Sequence, residues 1–301
     1  MPHLTLVYCH CAQAQATPRP AREAALRAMC ASGLPMETTG DLCAAAARRA
    51  PELRRLAASG PLVIAACAPR AVHALFAGAS APLPPETRCI NLRTASPGSA
   101  AETVRALPGA GTAPAAEPFE AAWKRLETPA PEPDGWTGWA PVIDAARCTG
   151  CLQCLSFCLF GVYAAEKGKV EVRSPDQCKP NCPACARVCP EEAILFPKHP
   201  AEAIHGGTPP GKAPRPQPKA DLSALLGGDL YGILRARNGT RFSPDRSPEA
   251  ALEERRKCLA ALAREGGIPL DVLETLPPPA ELLQRAAQAR ASAQAAREQN
   301  S

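Results

Sequence analysis

Aromatic residues make up only 4% of this 301-residue chain, and methionine occurs three times. That leaves little large apolar surface for a single extensive core. No stretch reaches the roughly 20 consecutive apolar residues of a membrane-spanning helix, which argues against membrane insertion. The start, Met1-Pro2-His3-Leu4, lacks the basic residues and apolar run of a secretion signal, so a cytoplasmic protein is expected. Blocks of like charge are also missing. With Lys and Arg interspersed among Asp and Glu and a net charge of only +5, nucleic-acid binding finds no support. No GxGxxG follows an expected strand, so neither a flavin nor a nicotinamide site can be named. Nor is there a recognisable general base or substrate site, and the chain reads as a carrier rather than an enzyme.

Proline, glycine and cysteine are plentiful instead: 35, 21 and 15 residues. The first two favour small cores joined by extended connectors. Residues 1–107 alternate extended and helical patterns: an extended run from His3 to Tyr8, helices over Ala21 to Ala31 and Asp41 to Ala58, then the apolar run Pro61 to Cys67 and a strand from Arg88 to Arg93. Asp41 is the expected N-cap of the second helix. Strand-helix-strand order points to a small, mainly parallel sheet. Residues 108–137 read as a Pro/Gly/Ala-rich linker with a helical island at Pro118 to Leu126, and 198–220 as a second linker. Residues 221–301 read as helical, over Asp221 to Arg237, Ser247 to Glu265 and Pro278 to Gln299. The expected class is α+β: a small α/β N-terminal domain, a cysteine-rich unit over 138–197 and a helical C-terminal tail.

Without a secretion signal the cysteines should stay reduced, which makes metal ligation their leading use. Eight lie between positions 148 and 189. Cys148 opens a CxxCxxCxxxC run, and Cys178 opens CxxxCxxCxxxCP, so the two halves form an internal repeat. In such a repeat three closely spaced thiolates serve one 4Fe-4S cluster, and the fourth reaches across to the other. Cys148, Cys151, Cys154 and Cys189 then form one set, and Cys158, Cys178, Cys182 and Cys185 the second. The fourth cysteine of each run is expected at the start of a short helix. Zinc is the alternative, but zinc ribbons use two CxxC pairs per site, not three cysteines in succession with a remote fourth. Gly161 to Glu166 and Lys169 to Arg173 should pair as a hairpin. Phe157, Phe160 and Tyr163 are the natural apolar shell.

On these residues Val142 to Pro197 resembles the bacterial dicluster ferredoxins, which implies their fold, two 4Fe-4S clusters and a role in electron transport. The resemblance departs at Leu159, where the family usually has Pro, and in one extra residue between Cys178 and Cys182.

Seven cysteines lie elsewhere. Cys9 and Cys11 follow the first expected strand, Cys67 follows the apolar run, and Cys43 lies in the first turn of a helix. In a parallel sheet these places share the edge where ligands gather. Val7-Tyr8-Cys9-His10-Cys11, Val63 to Arg70 and Ile90 to Arg93 resemble the N-terminal domain of the flavin-binding subunit of heterodisulfide reductase. That implies a further 4Fe-4S cluster on Cys9, Cys11, Cys43 and Cys67, although Ala12 stands where that family has Gly. Reduced buried thiols, zinc through Cys9, His10 and Cys11, and redox chemistry stay open beside it. Cys30, Cys89 and Cys258 read as packing residues, Cys258 because it shares a helical face with Leu252, Leu259 and Leu262. The expected partners are redox proteins, with a larger oxidoreductase docked on the C-terminal helices.

Overall fold

Strands Thr5–Cys9 (β1), Met36–Thr39 (β2), Leu62–Ala66 (β3) and Arg88–Asn91 (β4) pair in parallel in the order β2-β1-β3-β4. This is a computed structural model, and it describes residues 4–14, 16–114, 117–128, 135–166, 169–207 and 248–266. The strands alternate with helices Arg19–Ala31 (α1), Leu42–Ala47 (α2), Pro51–Ala58 (α3), Pro69–Gly78 (α4) and Pro97–Arg105 (α5). Period-two alternation sends Leu6, Tyr8, Val63 and Ala65 to the face covered by α1 and α5. Val7, Cys9, Ile64 and Ala66 go to the face covered by α2, α3 and α4. Both faces are buried, which is why β3 reads as a continuous apolar run.

Two sequence expectations change here, and one strand is added. The helix expected from Asp41 to Ala58 is two helices, because Pro51 has no N–H to donate and forces Ala50 out of helical geometry, to φ −52° and ψ 131°. Strand β2 is not announced by the sequence; it is four half-buried residues at the sheet's edge, with no apolar alternation to betray it. The segment 108–137 is no simple linker: its island, Phe119–Glu127 (α6), packs Ala122, Trp123 and Leu126 into the core beneath α1. The guanidinium carbons of Arg19 and Arg22 lie 5.3 and 5.9 Å from the Trp123 ring. Trp123→Ala is expected to cost about 3 kcal/mol of stability in urea unfolding. An unchanged midpoint would return α6 to the linker.

The cysteine-rich unit has a different construction. Val142–Ile143 (β5) pairs antiparallel with Ile194–Leu195 (β8), and Tyr163–Glu166 (β6) with Lys169–Val172 (β7). Two five-residue helices, Gln153–Phe157 (α7) and Ala184–Val188 (α8), occupy equivalent places in the two halves. A short helix, Glu202–His205 (α9), follows β8. The second expected linker therefore begins as folded chain.

Side chains from the first unit hold the second against the open edge of the parallel sheet. Arg70 Nε donates to Asp144 Oδ2 at 2.6 Å, and its Nη2 to the carbonyl of Glu192. Arg93 donates to the carbonyls of Pro197 and His199 at 2.8 and 2.9 Å. The Lys198 ammonium meets the Asp41 carboxylate at 2.7 Å, with side chains only 4% and 7% exposed, and also reaches the carbonyl of Thr137. Gly138, at φ +64°, leaves the room this needs: a Cβ there would sit 2.8 Å from Lys198 Nζ.

The last described helix, Pro248–Gly266 (α10), lies on the second unit. Ala251 packs with Phe157, Ala184 and Val188, and Arg187 pairs with Glu254 at 2.9 Å. The protein is thus α+β, with a four-stranded parallel sheet, two small antiparallel pairs and helices. No helix among the described residues is long and apolar enough to cross a membrane. The helices expected over Asp221 to Arg237 and Pro278 to Gln299 fall outside the described residues.

Candidate metal centre

None of the fifteen cysteines forms a disulfide. In each half of the second unit a loop carries two of them into a short helix that holds the third, Cys154 in α7 and Cys185 in α8. Cys158 and Cys189 are the residues that leave those helices, with extended ψ of 124° and 111°. The fourth cysteine of each run therefore closes a helix rather than opening one, a correction to the sequence expectation. The helices are too short to show a period. Leaving the helix in extended geometry carries each of these thiols across to the other half.

The result is two separate cavities. Cys148, Cys151, Cys154 and Cys189 line one. Cys158, Cys178, Cys182 and Cys185 line the other, with Phe157, Phe160, Val162 and Tyr163 supplying an apolar wall. Each cavity thus draws cysteines from both halves of the unit. Among the described residues no three His, Cys, Asp or Glu side chains converge as a single metal ion requires.

The thiols are held by donors, as sulfur that is to carry negative charge should be. The amide of Ala193 donates to Cys189 Sγ at 3.2 Å. The Tyr163 hydroxyl donates to Cys185 Sγ at 3.0 Å, so Tyr163 is more than apolar wall. Burial pushes the Cys154 and Cys185 thiols well above their usual range, and neighbouring thiols push them further. Burial also takes Cys178 up to about 12. Such thiols stay protonated until a cation displaces the protons, and soft thiolate sets select iron-sulfur clusters, zinc or cuprous ions.

Cys258, a packing residue on its sequence pattern alone, has a different setting. It is buried, but it lines the second cavity with the four cysteines there, and its Sγ lies 3.9 Å from Cys182 Sγ. Contact with Cys258 raises the Cys182 thiol, and the same contact lowers that of Cys258. The sequence signal is only the helical position of one cysteine among leucines, which any core helix could carry.

The N-terminal cysteines gather at the sheet's open edge. Strand order makes β1 and β3 neighbours whose following segments turn to opposite sides, the switch point where open α/β sheets bind ligands. Cys9 ends β1, Cys11 follows it with φ 54°, Cys67 follows β3, and Cys43 lies in the first turn of α2. Burial raises all four thiols, Cys67 to about 12; the Asp41 carboxylate adds to it at each, and neighbouring thiols add further at Cys9, Cys43 and Cys67. Arg93 and Lys198 pull the other way at Cys67 and Cys43. His10 does not join them: it stacks edge-on to Trp123 at 4.8 Å beside Tyr8, while Cys9 and Cys11 belong to the core on the other face. Alternation continuing past the end of β1 thus separates His10 from the thiols on either side, against a zinc site through all three. Cys30 packs in the α1 core, and Cys89 lies half-buried beside β3.

An uncharacterized ferredoxin of Methanocaldococcus jannaschii is 53% identical over 60 residues, 20% of this chain and 41% of that protein. The chain thus spans about two fifths of the length of the relative it matches. No family model and no solved structure matches it. The chain contains a ferredoxin-like region.

Proposed function

We propose that the chain is an electron carrier, or the electron-transfer subunit of a larger oxidoreductase, holding two 4Fe-4S clusters. Cys148, Cys151, Cys154 and Cys189 hold the first, and Cys158, Cys178, Cys182 and Cys185 the second. The observation that carries this is the pair of cavities, each ringed by one crossed set of four thiols. The likeness to a ferredoxin supports it. When bound, each cluster supplies a centre that takes up and gives back one electron. The protein's own residues set the conditions: Tyr163 and the Ala193 amide aim positive dipoles at the sulfurs, and Phe157, Phe160 and Val162 keep water away.

A third cluster, on Cys9, Cys11, Cys43 and Cys67, belongs to the same proposal. It is supported by the placing of four thiols, two buried and two partly buried, at the sheet's switch point. The same placing favours a second reading, a subunit of a heterodisulfide-reductase-like complex with a redox-active N-terminal site. Replacing all four thiols tests the pair: undiminished electron transfer to the natural partner would remove both the relay and the redox site.

Anaerobically purified protein is expected to contain about eight irons and as much labile sulfide, or about twelve of each with the third cluster, reducible by dithionite with matching paramagnetic resonance signals. Stoichiometric zinc without sulfide would sink the proposal. Clusters that never accept an electron would leave a structural role in its place.

A further inference from the structure

The two crossed cavities differ in one respect. The first is lined by four cysteines, the second by five. The fifth, Cys258, comes from α10, and two contacts fix that helix in place independently of any thiol: the Arg187–Glu254 ion pair and the bond from Arg255 Nη1 to the carbonyl of Phe157. Cys258 Sγ stands 3.9 Å from Cys182 Sγ. Two thiolates on one tetrahedral metal, each at about 2.3 Å, lie about 3.8 Å apart. The two sulfurs are therefore close enough for either to reach the same iron.

The loop that brings Cys182 to this place also departs from its counterpart. Three residues separate Cys178 from Cys182, whereas two separate Cys148 from Cys151. Both loops pass through a left-handed residue directly before the second cysteine, Asn181 at φ 61° and Gly150 at φ 70°, so the departure is the one added residue. Only the half with the longer loop has a fifth thiol.

We propose that Cys258 is interchangeable with Cys182 as ligand to one iron of the second cluster. This rests on the cluster assignment made above. In the exchange the Cys182 sulfur-iron bond breaks and a Cys258 sulfur-iron bond forms; the entering thiol releases a proton, the leaving thiolate takes one up, and no electron moves. The C-terminal helix then does two things: it closes the cavity and holds a ligand in reserve.

The experiment compares full-length wild type, C182A, C258A, C182A/C258A and C185A, purified anaerobically, by iron and sulfide content and by low-temperature paramagnetic resonance. C182A is expected to keep the wild-type iron content. The double variant, like C185A, is expected to lose between one iron, with a three-iron signal, and about four. Equal losses in C182A and the double variant would overturn the proposal. Should C182A fail to fold, wild type and C258A decide: the second cluster is expected to be lost to ferricyanide several-fold faster in C258A, and equal rates would overturn the proposal. A wild-type protein without iron and sulfide would fail earlier and differently, at the cluster assignment itself.

Discussion

Stripping iron from the anaerobic protein with a chelator is expected to unfold residues 138–205 while the parallel-sheet unit stays folded. The core of the smaller unit is itself built from cysteine: Cys154, Cys178, Cys185 and Cys189 are among its buried members, beside Trp139, Tyr163, Ile194 and Phe196. Its strands β5 and β8 are two residues long. A unit this small does not bury enough apolar surface to offset the conformational entropy of ordering it, and under the proposed function metal binding supplies the difference. The sheet unit encloses fully buried Leu6, Tyr8, Leu26, Ile64, Leu75 and Phe76 and needs no such help. Hydrogen exchange should show protection at Val142 to Ile204 falling about a thousandfold or more on iron removal, with little change over β1 and β3. Protection retained over Val142 to Ile204 would mean that the apolar contacts suffice.

Arg70→Ala is expected to lower stability by about 3 kcal/mol, near the lower end for breaking a buried ion pair. Its side chain and that of Asp144 are 16% and 15% exposed, so the abandoned carboxylate gains little from water. Asp144 also accepts from the amide of Ala146, and its carbonyl accepts from the amide of Cys148 at 3.0 Å. A disturbance at Arg70 therefore reaches the loop that carries the first crossed set. Arg70→Lys should restore only part of the loss, because a guanidinium reaches Asp144 and the Glu192 carbonyl together and an ammonium is a single point charge. Urea unfolding checks this. An Arg70→Ala midpoint equal to wild type would show that the two units hold together without this contact.

How far the sequence foretells these features depends on the range of the interaction. The crossed grouping of eight cysteines is legible because the spacing itself encodes it. So is the parallel sheet, since β1 and β3 announce themselves as apolar runs. The break before Pro51 is equally legible in principle, because it follows from one residue's missing donor, yet the apolar stripe from Leu42 to Leu56 disguises it. Contacts between units are not legible. Nothing local marks Lys198 as the partner of Asp41, or α6 as part of the core beneath α1, because both depend on the chain's return from a distance. Cys258 is hidden for the same reason: a helix with leucines looks alike whether its cysteine faces a core or a ring of thiols.

The crossing of Cys158 and Cys189 also sets an order on biosynthesis. A chain emerging from the ribosome presents Cys148, Cys151 and Cys154 well before Cys189, so the first set is incomplete until the second motif has been made. Cys158, by contrast, is already waiting when Cys178, Cys182 and Cys185 appear. The second set is thus complete slightly before the first, and α10 arrives after both. A nascent chain halted before Cys189 would hold Cys148, Cys151 and Cys154 without the fourth cysteine of their cavity.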